Sequence, residues 1–518
     1  MDCSAAPSPQ EKKFLRLAVL IFVALLLLTR LPVLCHESES HPDERHFFQS
    51  SVSLRDKLLG EADTYRVSKV YPEGGFVLQL PFQTADYLLS GLMGREQDPR
   101  LWGRIASLAY FVAGGALGMM IVWRFLTRRR AALVLYGLIV AFSLYYIEHS
   151  RYGTGDAPSF LLLMATVYAA GRFLEEGKRR WLFLSGLAAG MMAAVKYPQL
   201  YFVCLPAAAL ALSRREEGSP KRGLWGGVAT LAGAVLLGAL TLSPSLLVWP
   251  GYLWEAVSRE TTAYMSNGAA LSAAEHLAAL LVYHLLYADV PFAPVICVWL
   301  VVRLVRRTRG NQSALRRFFA CALPAAAGVF AAYNLFVGLM VLRTYNPFFA
   351  LCLLYTAWGL SELAASRRGR AVCAALCLFM AARGGMLLSA LMGPSRSENI
   401  ESILMADSHW PEHTDVMYMG TYYDTIRMGE FPRIEPGAYA VTMAFEHGLA
   451  RRGILGGGAQ LPIVRGWEAF QRENERYLLR RLYPAWYDWA FGYWVPGSTG
   501  AQFEFPSIYL YYRGFEGA

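Results

Sequence analysis

Apolar residues recur along the chain in runs of roughly 18 to 22 residues, separated by polar connections. A helix of about 20 apolar residues spans the hydrocarbon core of a bilayer. The pattern therefore predicts a mostly α-helical, polytopic membrane protein with about eleven transmembrane helices. The predicted spans cover residues 14–34, 104–125, 131–147, 157–173, 181–195, 199–212, 224–249, 291–304, 318–341, 347–363 and a last segment that ends near 392.

Basic residues mark every second connection between these spans. Clusters at 128–130 and 178–180 are typical, and three basic residues within 12–16 lie where the first span begins. Because lysine and arginine accumulate on the cytoplasmic side, the N-terminus is predicted to be cytoplasmic and a C-terminal tail of about 125 residues to lie outside. The first run is too long for the core of a signal peptide and is predicted to be retained.

Composition changes this picture little. The chain has 518 residues, of which 55% are hydrophobic, and a formal net charge of +10. Topology accounts for the basic clusters, so the lipid bilayer, and no nucleic acid, is the expected partner. The predicted organisation is a transmembrane domain over 1–392, with a first outer loop at 36–103, and a small mixed α/β domain over 393–518. Six of the eight cysteines fall in predicted spans, so no disulfide framework is expected.

The first outer loop begins with His41-Pro42-Asp43-Glu44, shortly after the first span. A carboxylate at a membrane surface can act as a general base, because partial desolvation and a neighbouring charge set its pKa. The same residues would also fit the solvated start of a loop. Two amphipathic stretches further on, 47–59 and 76–92, are predicted to form helices along the membrane surface.

A second acidic residue, Asp156, follows a glycine-rich bend in another outer connection. It is predicted to support the acidic site, and an N-cap of the fourth span is an additional interpretation. Lys69 lies in the first loop, before a Pro-Glu-Gly-Gly turn. It is interpreted either as part of a plain turn or as a clamp on a phosphate.

Three outer connections each carry one cation near a tyrosine, namely Arg151-Tyr152, Lys196-Tyr197 and Arg343-Thr344-Tyr345. Outer loops are normally poor in cations, so each of these needs an anionic partner. Lipid head groups, reached by snorkelling, are one alternative. Combined with carboxylates on the same face, the cations predict a pocket that binds a lipid-linked phosphate and deprotonates an acceptor.

Metal binding has no strong motif. Histidines at 41, 46, 149, 276 and 284 are assigned to the outer side, without an H-E-x-x-H pattern or an i, i+4 pair. Contacts with substrate, as for His41, or surface positions are the favoured interpretation. The cofactor is therefore unknown, with a divalent metal left open.

These motifs together resemble the GT-C class of polytopic glycosyltransferases, which use lipid carriers. The branch indicated is that of the protein O-mannosyltransferases and the bacterial aminoarabinose transferase of lipid A. The resemblance rests on Asp43-Glu44, on the segment 150–158, on 186–190 running to Lys196-Tyr197, and on 343–347, in the order of the family. The first motif is also similar to that of eukaryotic mannosyltransferases, although Phe48-Gln49 is displaced by two residues.

The resemblance implies a polyprenyl- or dolichyl-phosphate sugar as donor and an inverting transfer on the outer face. It implies Asp43 as the general base, with Glu44 and Asp156 in support and with Lys196 and Arg343 as looser matches to phosphate contacts. The expected function is transfer of a sugar to a glycan, lipid or protein acceptor at a bacterial inner membrane, with the site on the periplasmic side.

Two other classes of function remain alternatives at this stage. A transporter or lipid flippase would place charges near the bilayer midplane, within repeated halves, whereas the charges here map to outer helix ends. An assembly subunit with an inactive site is the third possibility. In the C-terminal part, strand-like patterns at 438–443 and 507–512 and a helix-like pattern at 467–483 suggest the small α/β domain.

Overall fold

The computed structural model describes residues 8–35, 44–64, 72–217, 222–248, 251, 258, 277, 293–307, 313–337, 345–392, 416–420, 437–443, 469–482 and 507–513. Several residues singled out above lie outside the described residues, namely His41, Asp43, Lys69, His276, His284 and Arg343.

Helices dominate the described chain. In order they are α1 Pro9–Cys35, α2 Glu44–Leu59, α3 Gly74–Met93, α4 Pro99–Ile121, α5 Arg130–Phe142, α6 Leu144–His149, α7 Asp156–Glu176, α8 Arg179–Val195, α9 Cys204–Glu217, α10 Arg222–Leu242, α11 Ser245–Val248, α12 Ala293–Arg307, α13 Ala314–Arg317, α14 Leu323–Val337, α15 Asn346–Leu363 and α16 Arg367–Leu391. Short π-helical turns at Val122–Leu126 and Phe318–Ala322 extend α4 and join α13 to α14.

Six helical segments within the described residues are long and apolar enough to cross a membrane. They are Pro9–Leu34, Pro99–Leu126, Asp156–Glu176, Leu224–Leu242, Ala314–Leu335 and Arg367–Ser389. The predicted mostly α-helical, multi-pass membrane protein is therefore confirmed. The count of eleven spans stays a prediction, because other apolar helices, such as α5, are shorter.

Two predicted spans are interrupted. In the third, Ser143 has an extended backbone (ψ 126°), and α5 ends there. The Ser143 hydroxyl accepts a hydrogen bond from the amide of Tyr146, in the first turn of α6, at 3.4 Å. A serine can compete with the helix in this way because its side chain caps the next helix. In the sixth, predicted over 199–212, the first residues belong to a 3₁₀ segment, Tyr197–Val203, that precedes α9.

Close backbone packing joins α8 to α10. A Cβ built on Gly190 would lie 2.1 Å from the carbonyl oxygen of Val235, and one on Gly238 would lie 2.2 Å from that of Leu187. Glycine is therefore the residue that fits at both positions, as in membrane helices that associate through small residues. This contact fixes the end of α8, where Lys196 follows.

Helices α2 and α3 form over the two stretches predicted to be amphipathic, and both pack against α4. The polar stripe of α3 is the buried one and comprises Gln79, Gln83, Asp86 and Ser90. On the opposite side, Leu88 is 56% and Leu92 83% exposed. Their location at the membrane surface stays a prediction.

The C-terminal part contains a sheet of β1 Val416–Gly420, β2 Gly437–Met443, β3 Leu478–Leu482 and β4 Ser507–Arg513, in the order β1-β2-β4-β3. Strands β1 and β2 are parallel, whereas β2–β4 and β3–β4 are antiparallel. The strand patterns at 438–443 and 507–512 are thus confirmed. The helix predicted over 467–483 is wrong in its second half, because 478–482 pair with β4 and this pairing overrides the local pattern. A separate outer domain stays a prediction.

Candidate functional site

Glu44 is the first residue of α2, and its carboxylate is almost completely buried, at 1% exposure. Arg104 of α4 binds it with two parallel bonds, from Nε to Oε1 and from Nη2 to Oε2, each 2.9 Å long. The backbone amide of Gly153 donates a third hydrogen bond to Oε1 at 2.8 Å. Glu44 therefore connects α2, α4 and the 150–155 segment through charge-assisted bonds.

Gly153 lies between two polar partners. Its amide binds Glu44, and its carbonyl oxygen accepts a hydrogen bond from Nε2 of Gln79 at 2.7 Å. A Cβ on Gly153 would lie 3.1 Å from the backbone carbonyl carbon of Gly103, so there is little room for a side chain. The glycine that the sequence suggests for a bend also permits this close approach to α4.

Asp156 begins α7 and is 2% exposed. Its Oδ1 binds Nζ of Lys196, and its Oδ2 accepts a hydrogen bond from the Thr154 hydroxyl at 3.0 Å and lies 4.0 Å from Nδ1 of His149. The N-cap interpretation is corrected, because Gly155 holds that position and Asp156 is already helical. A carboxylate in the first turn is still favoured by the helix dipole.

Lys196 directly follows the last residue of α8, and its side chain is 25% exposed although its partner Asp156 is buried. The ion pair therefore presents one cation towards the surface. Tyr197, which follows, is half-buried. The structure thus brings together Asp156 and Lys196, two residues that the sequence placed in different connections of one face.

The first residue of α15 also reaches Asp156. Asn346 donates a hydrogen bond from Nδ2 to the Asp156 backbone oxygen at 3.2 Å. Tyr345, one residue earlier, is completely buried and stacks on Phe349 with 6.2 Å between ring centroids. Burial raises the pKa of Tyr345 well above its usual range, so its phenol stays neutral.

Arg151 is 1% exposed and turns towards its neighbour. Its Nη2 donates to the hydroxyl oxygen of Tyr152 at 2.6 Å, and the guanidinium carbon lies 4.5 Å from the centroid of that ring. Arg151 is therefore buried inside the protein. A snorkelling residue would instead extend from an outer helix end towards the lipid head groups.

Two residues of the site were not singled out from the sequence. Arg104 was read as the first residue of an apolar span, although an arginine at an outer helix end departs from the positive-inside pattern. Glu73 is 1% exposed, and its Oε2 accepts the Ser245 amide at 3.0 Å. A Cβ on the next residue, Gly74, would lie 2.6 Å from the Ala194 oxygen, so Glu73 lies beside the end of α8. The sequence feature that could have indicated Glu73 is the Pro-Glu-Gly-Gly turn in which it lies.

We use the term acidic face for the end of the bundle that carries Glu44, Glu73, Arg104, Asp156 and Lys196. Among the described residues, no group of three or more His, Cys, Asp and Glu side chains is arranged to hold a metal ion. The arrangement can fix a short acidic segment in place and can offer a partly exposed cation beside a buried carboxylate. Such a site suits an anionic ligand and proton transfer.

Comparison with known proteins agrees with this reading. Residues 104–242, which include Arg104, Arg151, Asp156 and Lys196, match the profile of the family described as dolichyl-phosphate-mannose-protein mannosyltransferase. A search among curated proteins finds no match. The match covers the segment 104–242 alone, and over that segment it supports the resemblance to glycosyltransferases of the O-mannosyltransferase type.

Solved structures that match this chain share little sequence with it. The Saccharomyces cerevisiae protein O-mannosyltransferase Pmt1-Pmt2 complex bound to the sugar donor has 18% identity and a TM-score of 0.38, over 49% of this chain and 35% of that chain. ArnT from Cupriavidus metallidurans in the apo state has 15% identity and a TM-score of 0.43, over 94% of this chain and 77% of that chain. The oligosaccharyltransferase AglB from Archaeoglobus fulgidus, in complex with an inhibitory peptide and a dolichol-phosphate, has 9% identity and a TM-score of 0.47, over 92% of this chain and 73% of that chain.

Proposed function

We propose that this glycosyltransferase moves a sugar, with inversion, from a polyprenyl-phosphate-linked donor to a glycan, lipid or protein acceptor. The reaction takes place on the outer face of a bacterial inner membrane. Asp43 is the general base, and the acidic face defined above is the active site.

The observation that carries this proposal is the hydrogen bond between Glu44 and Gly153. It joins the start of α2 to the 150–156 segment, which ends at Asp156, the partner of Lys196. Asp43 directly precedes Glu44 in the sequence, and the proposal assigns the base to this residue because its neighbour is anchored to the 150–156 segment. Three connections that are far apart in sequence thus contribute to one site.

The chemistry assigns different roles to the charged groups. Asp43 accepts the proton of the attacking hydroxyl, which makes the acceptor oxygen more nucleophilic as it bonds to the anomeric carbon. The departing phosphate gains negative charge, which Lys196 and Arg343 stabilise. Glu44 has its carboxylate occupied by Arg104 and Gly153, so its support is positional.

The transporter alternative receives no support from the site. Both Glu44 and Asp156 begin helices, whereas transporters usually keep ionisable groups near the midplane, at broken helices. The family match over 104–242 also favours transfer.

The test uses the full chain in lipid, a radiolabelled polyprenyl-phosphate sugar and a crude envelope extract as the source of acceptor. Asp43→Asn is expected to lower transfer by about 10² to 10⁴-fold, which is the usual contribution of a general base. Donor binding, measured separately, is expected to persist. Glu175→Gln is the control, because Glu175 lies at the other end of α7, in an ion pair with Arg124.

Two results would contradict the proposal in different ways. Equal transfer by Asp43→Asn and the unaltered chain would move the base to another carboxylate. Absence of both transfer and donor binding in the unaltered chain would reject the donor class itself and favour the transporter.

A further inference from the structure

Arg30 is a buried charge that the proposed mechanism does not use. It lies in α1, the helix that precedes Asp43, and its side chain is completely buried. Its hydrogen-bond partners in the described chain are all uncharged: the Ser150 hydroxyl, the Ala141 carbonyl oxygen and the Thr29 hydroxyl. Because a buried cation in a membrane helix is costly, its presence points to a specific role.

One of these bonds fixes the end of α5. Nη2 of Arg30 donates to the carbonyl oxygen of Ala141 at 2.6 Å, in the last turn before the break at Ser143. The last carbonyls of a helix have no partner within that helix. A cation there also interacts favourably with the helix dipole.

The second bond fixes the residue that follows α6. Nε of Arg30 donates to Oγ of Ser150 at 3.1 Å. Arg30 thus contacts Ala141, near the end of α5, and Ser150, directly after α6, so the chain is held on both sides of this short helix. The chain then leads to Gly153, whose amide binds Glu44, and to Asp156 of the acidic face.

We propose that Arg30 is a positioning residue for the transfer reaction, acting through α6 on the segment 150–156. The inference rests on the proposed function. Arg30 holds this segment from α1, while Glu44 holds it from α2 through Gly153. The helix that leads to Asp43 and the segment that carries Asp156 are therefore linked directly. A planar guanidinium is needed, because one ammonium on a flexible stem lacks the fixed fork that reaches both partners.

The experiment compares Arg30→Met, Arg30→Lys and Ser150→Ala with the unaltered full chain in lipid nanodiscs. Hydrogen–deuterium exchange is measured without substrate over 143–156 and over α10 as an internal reference. Arg30→Met is expected to increase exchange in 143–156 only, and Arg30→Lys to do nearly the same. The matched control is Arg129→Met, which also removes a bond from an arginine to a carbonyl, that of Ser361, outside the acidic face.

Transfer is then measured on the folded variants. Arg30→Met is expected to lower kcat by at least about tenfold with donor KM unchanged, because misplaced catalytic groups slow the chemical step. Adding Ser150→Ala to it should lower kcat no further, since the two changes break the same connection. A purely structural role would lower the yield of folded protein and leave kcat per folded molecule intact.

Several outcomes would overturn this proposal. One is unchanged exchange in 143–156, whatever the activity. Another is raised exchange with normal kcat, which would leave Arg30 without a role in the reaction. Full recovery by Arg30→Lys would show that charge alone matters. If the unaltered chain does not transfer sugar, the proposed function fails, and the exchange data still decide whether Arg30 holds the segment.

Discussion

Glu44 and Asp156 are both buried carboxylates, yet they differ in what their partners leave accessible. The Arg104–Glu44 pair is buried on both sides, at 2% and 1% side-chain exposure. The partner of Asp156 is the partly exposed Lys196. An anionic ligand can therefore compete for Lys196, whereas Glu44 keeps its partners. We assign the first pair to structure and the second to substrate.

This assignment predicts a difference in stability between two ion pairs. Glu44→Gln leaves the buried Arg104 without its charge partner and is expected to cost about 3 to 5 kcal/mol. Glu175→Gln breaks the Arg124 pair, whose side chains are 31% and 30% exposed, and should cost about 1 kcal/mol or less. Thermal unfolding of the purified protein in one detergent measures both. Equal losses would show that the Glu44 clamp is not a main support of the fold.

The sequence indicated which residues share a face, but not how they bind one another. It placed Asp156 and Lys196 together because alternate connections of a helical bundle meet on one side. It gave no sign that Glu44 binds the amide of Gly153, since that contact depends on how α2 enters the bundle. Arg104 was missed for a related reason, because hydropathy treats it as the edge of a span.

Helix α3 shows the same limit for a whole element. Its periodicity predicted an amphipathic helix, and the helix forms. Periodicity reveals two stripes without saying which one faces protein. Here Gln79 binds the Gly153 carbonyl and Gln83 binds that of Pro99, so the polar stripe turns inwards and the apolar one outwards. In a membrane protein this inverted arrangement is compatible with lipid on the outer side.

The contact between α8 and α10 gives a prediction for these elements. Gly190→Ala places a Cβ against the Val235 carbonyl, so the two helices must separate, at a cost of roughly 1 to 3 kcal/mol. The loss should appear as a lower unfolding temperature and, because Lys196 follows α8, as weaker donor binding. Gly233→Ala on α10 is the matched control, since a Cβ there meets nothing within 4 Å. Similar effects of the two changes would contradict close packing at Gly190.

For the whole molecule, the positions of individual predicted spans agree with helices of the structure, whereas the predicted number of eleven spans stays a prediction. Residues 157–173 and 181–195 correspond closely to α7 and α8. The pattern could not show that Ser143 breaks the third span, because a capping serine in an apolar run looks like a tolerated polar residue. The sequence pattern also could not predict that 478–482 form a strand, because the partner strand β4 is distant in sequence. Local periodicity predicted the elements, and long-range contacts set their ends.

The orientation of the bundle provides the last prediction. Helix α7, with 21 residues, is about 31 Å long at 1.5 Å per residue, so its two ends can lie at opposite surfaces of a bilayer. With a cytoplasmic N-terminus, the acidic face lies outside.

Single cysteines are introduced at Glu96, which is exposed before α4, and at Arg180, whose side chain is 63% exposed at the start of α8. The parent for both variants is a full chain in which all eight cysteines have been replaced by serine. An impermeant maleimide added to intact cells is expected to label E96C and to reach R180C only after the membrane is opened. The reverse pattern would place the acidic face in the cytoplasm and would contradict a reaction on the outer side.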